Sequence, residues 1–164
     1  MSLDEINGLD HDAFVARFGF LFEHSPWIVE QAADSRPFDD LEDMHAALMA
    51  VVDEASSEEQ LALLRAHPKL ADKVAMTAES VSEQASAGLN RLSREEFDLF
   101  HRLNEAYDRR FGFPFIICVR LTDKAGILAA MEARGKNSAE TEMDTALDEV
   151  GKIVWLRLKD AVTS

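Results

Sequence analysis

Apolar residues recur at every third or fourth position along almost the whole chain, and nowhere do they alternate with polar ones over the length of a strand. A helical period places such positions on one face, so the pattern leaves an all-α fold as the means of burying them. The polar punctuation agrees. Asp10 precedes Phe14, Phe18, Leu21 and Phe22 as a helix cap. Ser25-Pro26 reads as a cap followed by proline at the first helical position, opening a helix with Trp27 and Ile28. Pro37 breaks the chain, and Asp39 or Asp40 then opens a run through Leu41, Met44, Leu48, Val51 and Val52. Ser56-Ser57-Glu58-Glu59 starts a helix predicted to end at His67, with Leu61 and Leu64 inward.

Ser93-x-x-Glu96 is a capping box for a long helix through Phe97, Phe100, Leu103 and Tyr107 to Arg110, with Gly112 as its C-terminal cap. Phe113 to Val119 is short and almost wholly apolar, and reads as a buried extended or single-turn connector. Thr122 or Asp123 starts a helix through Ile127, Leu128 and Met131, closed by Gly135. Asn137 or Ser138 caps the last one, which runs to about Val162. The expected architecture is a single-domain bundle of about seven to nine helices spanning 1–164, with no repeat and no low-complexity linker.

A chain of 164 residues with 47% hydrophobic content, ten Phe and two Trp is long and apolar enough to bury one core. Its 17 basic and 31 acidic residues give a net charge of −14. Such a surface repels phosphate backbones and anionic lipid, which argues against nucleic-acid and membrane partners. A few buried cations would still suffice to hold a small anionic substrate. The single cysteine, Cys118, lies inside the apolar connector, so no disulfide framework or cysteine metal site is expected and the thiol reads as a small core hydrophobe. No apolar run approaches ~20 residues. The start lacks a signal-peptide pattern, and Ala161-Val162-Thr163-Ser164 is not the peroxisomal tripeptide, so the expected location is cytoplasmic.

The stretch from His67 to Gly88 carries the chemistry. Pro68 biases His67 away from helical geometry, which sets the imidazole at a helix end. If Ser80 onward is helical, Ser80, Glu83 and Gln84 share one face. An imidazole facing a hydroxyl, a carboxylate and an amide would make a small-molecule site. Ser80-x-x-Glu83 also reads as a capping box that only satisfies helix-start amides. A second signal lies in the last helix, whose inward stripe runs Met143, Leu147, Val150, Val154, Arg157, Ala161. Arginine on an apolar stripe either snorkels to solvent or forms a fixed fork for a carboxylate or carbonyl.

Glu42-x-x-His45 and Asp98-x-x-His101 resemble halves of a di-iron site, but no inward glutamates complete it, so exposed polar faces are the expected reading and no metal is assigned. His11, His24, His45 and His101 read as surface or packing residues. A phosphotransfer histidine would want a mid-helix position that Pro68 denies His67. No glycine-rich phosphate loop and no nucleophile elbow is present.

Four motifs then recur in order: Phe22-Glu23-His24-Ser25-Pro26-Trp27, Arg65-Ala66-His67-Pro68, Ser80-x-x-Glu83-Gln84-x-x-Ala87-Gly88-Leu89 and Phe111-Gly112-Phe113-Pro114-Phe115-Ile116. From about Phe14 to Val162 the chain resembles the 2-oxo-4-hydroxy-4-carboxy-5-ureidoimidazoline (OHCU) decarboxylases of the purine ureide pathway. The resemblance implies an all-helical, cofactor-free homodimer acting on a ureidoimidazoline, in the last step from urate to (S)-allantoin. It also implies that His67 is the essential catalytic residue, with Ser80, Glu83, Gln84 and Arg157 lining the pocket. Pro68 would shape that pocket and Phe113 to Ile116, with Phe115 and Ile116, would wall it. In that reading Glu83 holds His67 and shares its catalytic role. The chain departs from the family at Phe18-Gly19, Leu121-Thr122-Asp123 and Trp155, none of them at the implied chemistry. The competing expectations are a helical binding module without catalysis and an enzyme for a related ureide.

Overall fold

The computed structural model describes residues 1–71 and 78–163, and among these it contains nine α-helices, three 3-10 turns and no strand. The all-α expectation holds. The helices are α1 (Leu3–Gly8), α2 (His11–Phe18), α3 (Trp27–Ala32), α4 (Leu41–Glu54), α5 (Ser57–Arg65), α6 (Ala78–Ser86), α7 (Arg94–Phe111), α8 (Lys124–Arg134) and α9 (Ala139–Thr163). The chain divides into two compact units, Met1–Ala66 with Gly151 onward, and His67–Val150. None of the described helices is long and apolar enough to cross a membrane.

In the first unit α3 packs against α2 and α4. Phe14, Phe18, Leu21 and Phe22 meet Ile28, Val29, Met44, Leu48 and Val52 in the core, joined by Val154 and Leu158 from the second half of α9. Each fully buried side chain of this size contributes about 1.5–3 kcal/mol. Asp10 and Asp40 cap α2 and α4 as predicted, accepting from the Ala13 and Asp43 amides. Ser56 and Glu59 complete a capping box on α5, which ends at Arg65, two residues before the predicted His67. The cap at α3 differs: the helix begins at Trp27, and the Ser25 hydroxyl donates instead to the Glu23 carbonyl at 2.9 Å. Helix α1 was absent from the sequence expectation, although Ser2 caps it through the Glu5 amide.

In the second unit α7 packs on α8, and α6 packs on the 3-10 turn Val119–Leu121. Ser93 and Glu96 form the predicted capping box at one end of α7, and Gly112, at φ 80°, closes the other in the left-handed conformation that favours glycine. Asp123 and Ser138 prove to be the caps of α8 and α9, while Gly135 closes α8 with ordinary right-handed geometry. The buried stripe of α7 is Phe100, Asn104 and Tyr107, with Leu103 only half-buried. The predicted connector is buried from Phe113 to Ile116 without regular secondary structure before the 3-10 turn at Val119, and Cys118 within it is extended and gives its amide to Glu149 Oε1 at 3.0 Å.

Candidate active site

Helix α6 starts at Ala78, so Ser80 is inside it and not at its cap, and the capping-box reading of Ser80 and Glu83 falls away. At about 100° per residue, Ser80, Glu83, Gln84 and Ala87 form one stripe. Ser80, Gln84 and Ala87 are buried and Glu83 is half-buried, whereas Val81 on another face is 51% exposed. The helix therefore turns its polar stripe inward, the reverse of a solvated helix face.

The chain leaves α5 at Arg65 and carries His67 and Pro68, both half-buried, into a turn. The next three residues are each tied to α6 or α7. Lys69 Nζ lies 3.3 Å from Glu105 and 3.4 Å from Asp108. Burial opposes the Lys69 charge, but its bonds to Glu105 and Asp108 outweigh that and hold its pKa above the ordinary lysine value. Asn104 Nδ2 donates to the Leu70 carbonyl at 2.8 Å, and the Ala71 amide donates to Gln84 Oε1 at 3.0 Å. Ala71 has φ 61°, a left-handed conformation that costs a non-glycine residue about 1–2 kcal/mol. Through Gln84 the structure brings the turn of His67 and Pro68 onto the stripe of α6. The polar link predicted between Leu70 and Ser80 falls largely on residues 72–77, outside the described residues.

Phe115 and Ile116 are buried in the segment that follows α7. Arg134 anchors both: its guanidinium sits 4.3 Å from the centre of the Phe115 ring and its Nη1 donates to the Ile116 carbonyl at 2.7 Å. The same guanidinium gives Nε to Glu142 Oε1 at 2.9 Å, and Tyr107 donates its hydroxyl to that oxygen at 2.5 Å. Asn137 Nδ2 donates to Glu142 Oε2 at 2.9 Å, so both oxygens of a carboxylate with no solvent exposure are engaged. Burial, then the bond to Glu142, pushes the Tyr107 phenol well above its usual range.

Arg157 belongs to the first unit and is buried. It does not snorkel. Its Nη2 meets Glu23 Oε1 at 2.8 Å and its Nη1 the Phe20 and Leu21 carbonyls at 3.2 and 3.4 Å. The guanidinium is held inside the protein as the fixed-fork alternative expects, but its two ends take different acceptors, a carboxylate at Nη2 and carbonyls at Nη1. Beside Gln84, the second unit has a cleft of about 660 Å³ lined by Val81, Ala85, Leu89, Phe97 and Asp98 among others. Of the expected site residues only Gln84 borders that cleft. No group of three or more His, Cys, Asp or Glu able to hold a metal occurs among the described residues. His45 gives Nε2 to the Gly151 carbonyl at 2.9 Å and lies edge-on to Trp155 at 5.3 Å, a packing role. Asp98 and His101 are exposed.

Residues 7–159 match the family model described as OHCU decarboxylase. The chain belongs to the OHCU decarboxylase family. That match runs through both compact units. A decarboxylase of Haloferax volcanii is 48% identical over 164 residues, covering all of this chain and 98% of that one. The mouse OHCU decarboxylase is 38% identical over 98% of this chain and 92% of its own. A Bacillus subtilis bifunctional protein of uric acid degradation is 41% identical, and this chain spans 33% of its length. Among solved structures, an (S)-allantoin synthase overlays with TM-score 0.81 at 28% identity, covering 99% of this chain and 54% of that one. With full-length relatives of this kind, this OHCU decarboxylase family member is a carboxy-lyase.

Sequence reasoning missed Asn104, Arg134, Glu142 and Glu23 as the groups that hold the turn after Pro68, the Phe115–Ile116 segment and Arg157. Asn104 was detectable, since it follows Phe100 by four and precedes Tyr107 by three on an apolar stripe. Arg134 and Glu142 each sit at a helix end, where a charge is ordinary and carries no signal of burial.

Proposed function

We propose that this chain decarboxylates OHCU to (S)-allantoin, the third step of urate degradation, with His67 as general acid/base and without a cofactor. The observation that carries the reading is the 48% identity to the Haloferax volcanii decarboxylase across both whole chains. The inward polar stripe of α6, tied by Gln84 to the turn of His67, supports it. The overlay on an (S)-allantoin synthase at 28% identity supports the hand of the product.

Breaking the bond from the ring carbon to its carboxylate leaves an electron pair on that carbon. The adjacent carbon–nitrogen double bond of the imidazoline takes the pair, so no pyridoxal or thiamine sink is needed. The protein has to hold the carboxylate out of the ring plane, stabilise the anion, and return a proton to one face of the planar intermediate. That last step sets the hand of the allantoin. His67 is the group whose ordinary pKa suits it to move that proton near neutrality. Glu83 favours its imidazolium form. Arg157 anchors an anionic or carbonyl oxygen, and Ser80 and Gln84 read the ureido and ring polar groups. Pro68 shapes the pocket, while Phe115 and Ile116 form a flat wall against the ring. The reading treats 1–164 as one functional domain, working as a cytoplasmic homodimer.

A coupled assay tests it. Urate is converted by its oxidase and by the hydrolase that follows, this protein is added, and circular dichroism records the rotation of the allantoin formed. Rapid formation of one enantiomer is expected, with kcat lowered about 10²–10⁴-fold in His67→Gln. Slow racemic allantoin at the uncatalysed rate, or full turnover by a folded His67→Gln protein, would overturn the reading.

A further inference from the structure

We propose that Asn104 and Lys69 are positioning residues for His67, acting through the turn His67–Ala71 and not on the substrate. The proposal rests on His67 being the acid/base of the reaction above. Its basis is that three consecutive residues following Pro68 each hold a partner on another element. Lys69 reaches Glu105 and Asp108 on α7, the Leu70 carbonyl takes Asn104 Nδ2 from α7, and the Ala71 amide gives its bond to Gln84 on α6. Two residues after His67 the chain is thus held by a side chain, then by a carbonyl, then by an amide. A turn bound in this way keeps Ala71 in a left-handed conformation that a non-glycine residue adopts only when its surroundings impose it.

Asn104 is the unusual member. It is 4% exposed and stands between Phe100 and Tyr107 on a stripe otherwise buried and aromatic. Only its Nδ2 has a partner, for Asn104 Oδ1 is buried without a donor among the described residues. A buried carbonyl oxygen left unmet opposes folding and offsets what the Nδ2 bond contributes, and a leucine of similar size would exchange one unmet acceptor, Oδ1, for another, the Leu70 carbonyl. The amide is therefore poorly explained as a contribution to stability, and well explained as the group that fixes Leu70. Lys69 points the same way. Its side chain is 29% exposed, and partly exposed ion pairs add little to stability, yet two carboxylates on successive turns of α7 set where the turn sits. General acid/base transfer is sensitive to such placement, since an error of about 1 Å at the reacting group can lower turnover about 10²-fold.

Full-length Asn104→Leu, Lys69→Met and His67→Gln are compared with the unaltered protein in the coupled assay, in thermal melting, and by the ring signals of His67 in a ¹⁵N-histidine NMR spectrum. For Asn104→Leu we expect kcat about tenfold lower with KM within about twofold, a melting temperature little changed, and a displaced His67 ring signal. For Lys69→Met we expect a kcat loss of about threefold, unchanged melting and a smaller displacement of the same signal. A purely structural role would move melting and leave kcat and the ring signal in place. Full kcat and an unmoved ring signal in both variants, with His67→Gln inactive, overturn the clamp and leave the reading of His67 standing. Activity retained by His67→Gln removes that reading and the clamp with it. Should Asn104→Leu fail to fold, an unmoved kcat and ring signal in Lys69→Met overturn the proposal alone.

Discussion

Arg157 Nη2 lies 2.8 Å from Glu23 Oε1, and the two side chains are only 4% and 1% exposed. A charge buried in this way depends on its partner, and removing one member of such a pair costs about 3–5 kcal/mol. Denaturant unfolding of Arg157→Met should show a loss of that size. The double variant Glu23→Leu/Arg157→Met should regain much of it, because no lone charge is left inside. If Arg157 also anchors the substrate, as proposed, the double variant recovers stability and stays inactive. A double variant as unstable as the single one would mean that the carbonyls of Phe20 and Leu21 matter more than the carboxylate.

Ala71→Gly should leave stability unchanged or raise it by up to about 1 kcal/mol, because relief of the left-handed alanine outweighs the greater freedom of glycine in the unfolded chain. Urea unfolding reads this directly. A loss above about 1 kcal/mol would show that the half-buried methyl group packs more tightly than its conformation suggests.

Cys118 is buried, and burial, then the carboxylate of Glu149, pushes its thiol above the usual range. The thiolate is the reactive form. At pH 8 the folded protein should resist alkylation over hours, and in guanidinium one equivalent of reagent should react at once. Rapid labelling of the native protein would contradict the burial.

Glu96 is held below its ordinary value of 4.5, first by the Ser93 amide and then by Lys124. A carboxylate lowered on folding contributes stability that is complete above the unfolded value and fades as pH falls through the folded one. Between neutrality and pH 5 the stability gap between the unaltered protein and Glu96→Gln should stay constant. Below about pH 4.5 it should narrow, as a melting series in acid would reveal. A gap that is independent of pH down to 3 would assign the cap to geometry alone.

The helices were legible because their signals are local. Asp10, Asp40, Ser56, Ser93 and Asp123 each stand just before an apolar run, and each caps a helix where the sequence puts one. Ser25 misled because its hydroxyl found a nearer acceptor in the Glu23 carbonyl. Ser80 fitted a capping motif equally well inside a helix, since the same spacing of three serves a cap and a helix face. The inward face of α6 carrying Ser80 and Gln84 was readable from residue spacing, and the burial of Arg157 from its place on an apolar stripe. What holds them was not. Asn104 is 34 residues from Leu70 and Glu23 is 134 from Arg157, and no local spacing encodes partners so far apart.

Glu142 accepts from Arg134 and Tyr107 on one oxygen and from Asn137 on the other. Substitution of Arg134 or Glu142 alone leaves a buried charge without its partner, and loss of Glu142 leaves the buried Tyr107 hydroxyl without its acceptor. Across the family these positions should therefore change together or not at all, and a relative that has lost the glutamate should have lost the arginine as well. In an alignment the three would surface as a co-varying set, tying the end of α8 and the start of α9 to α7.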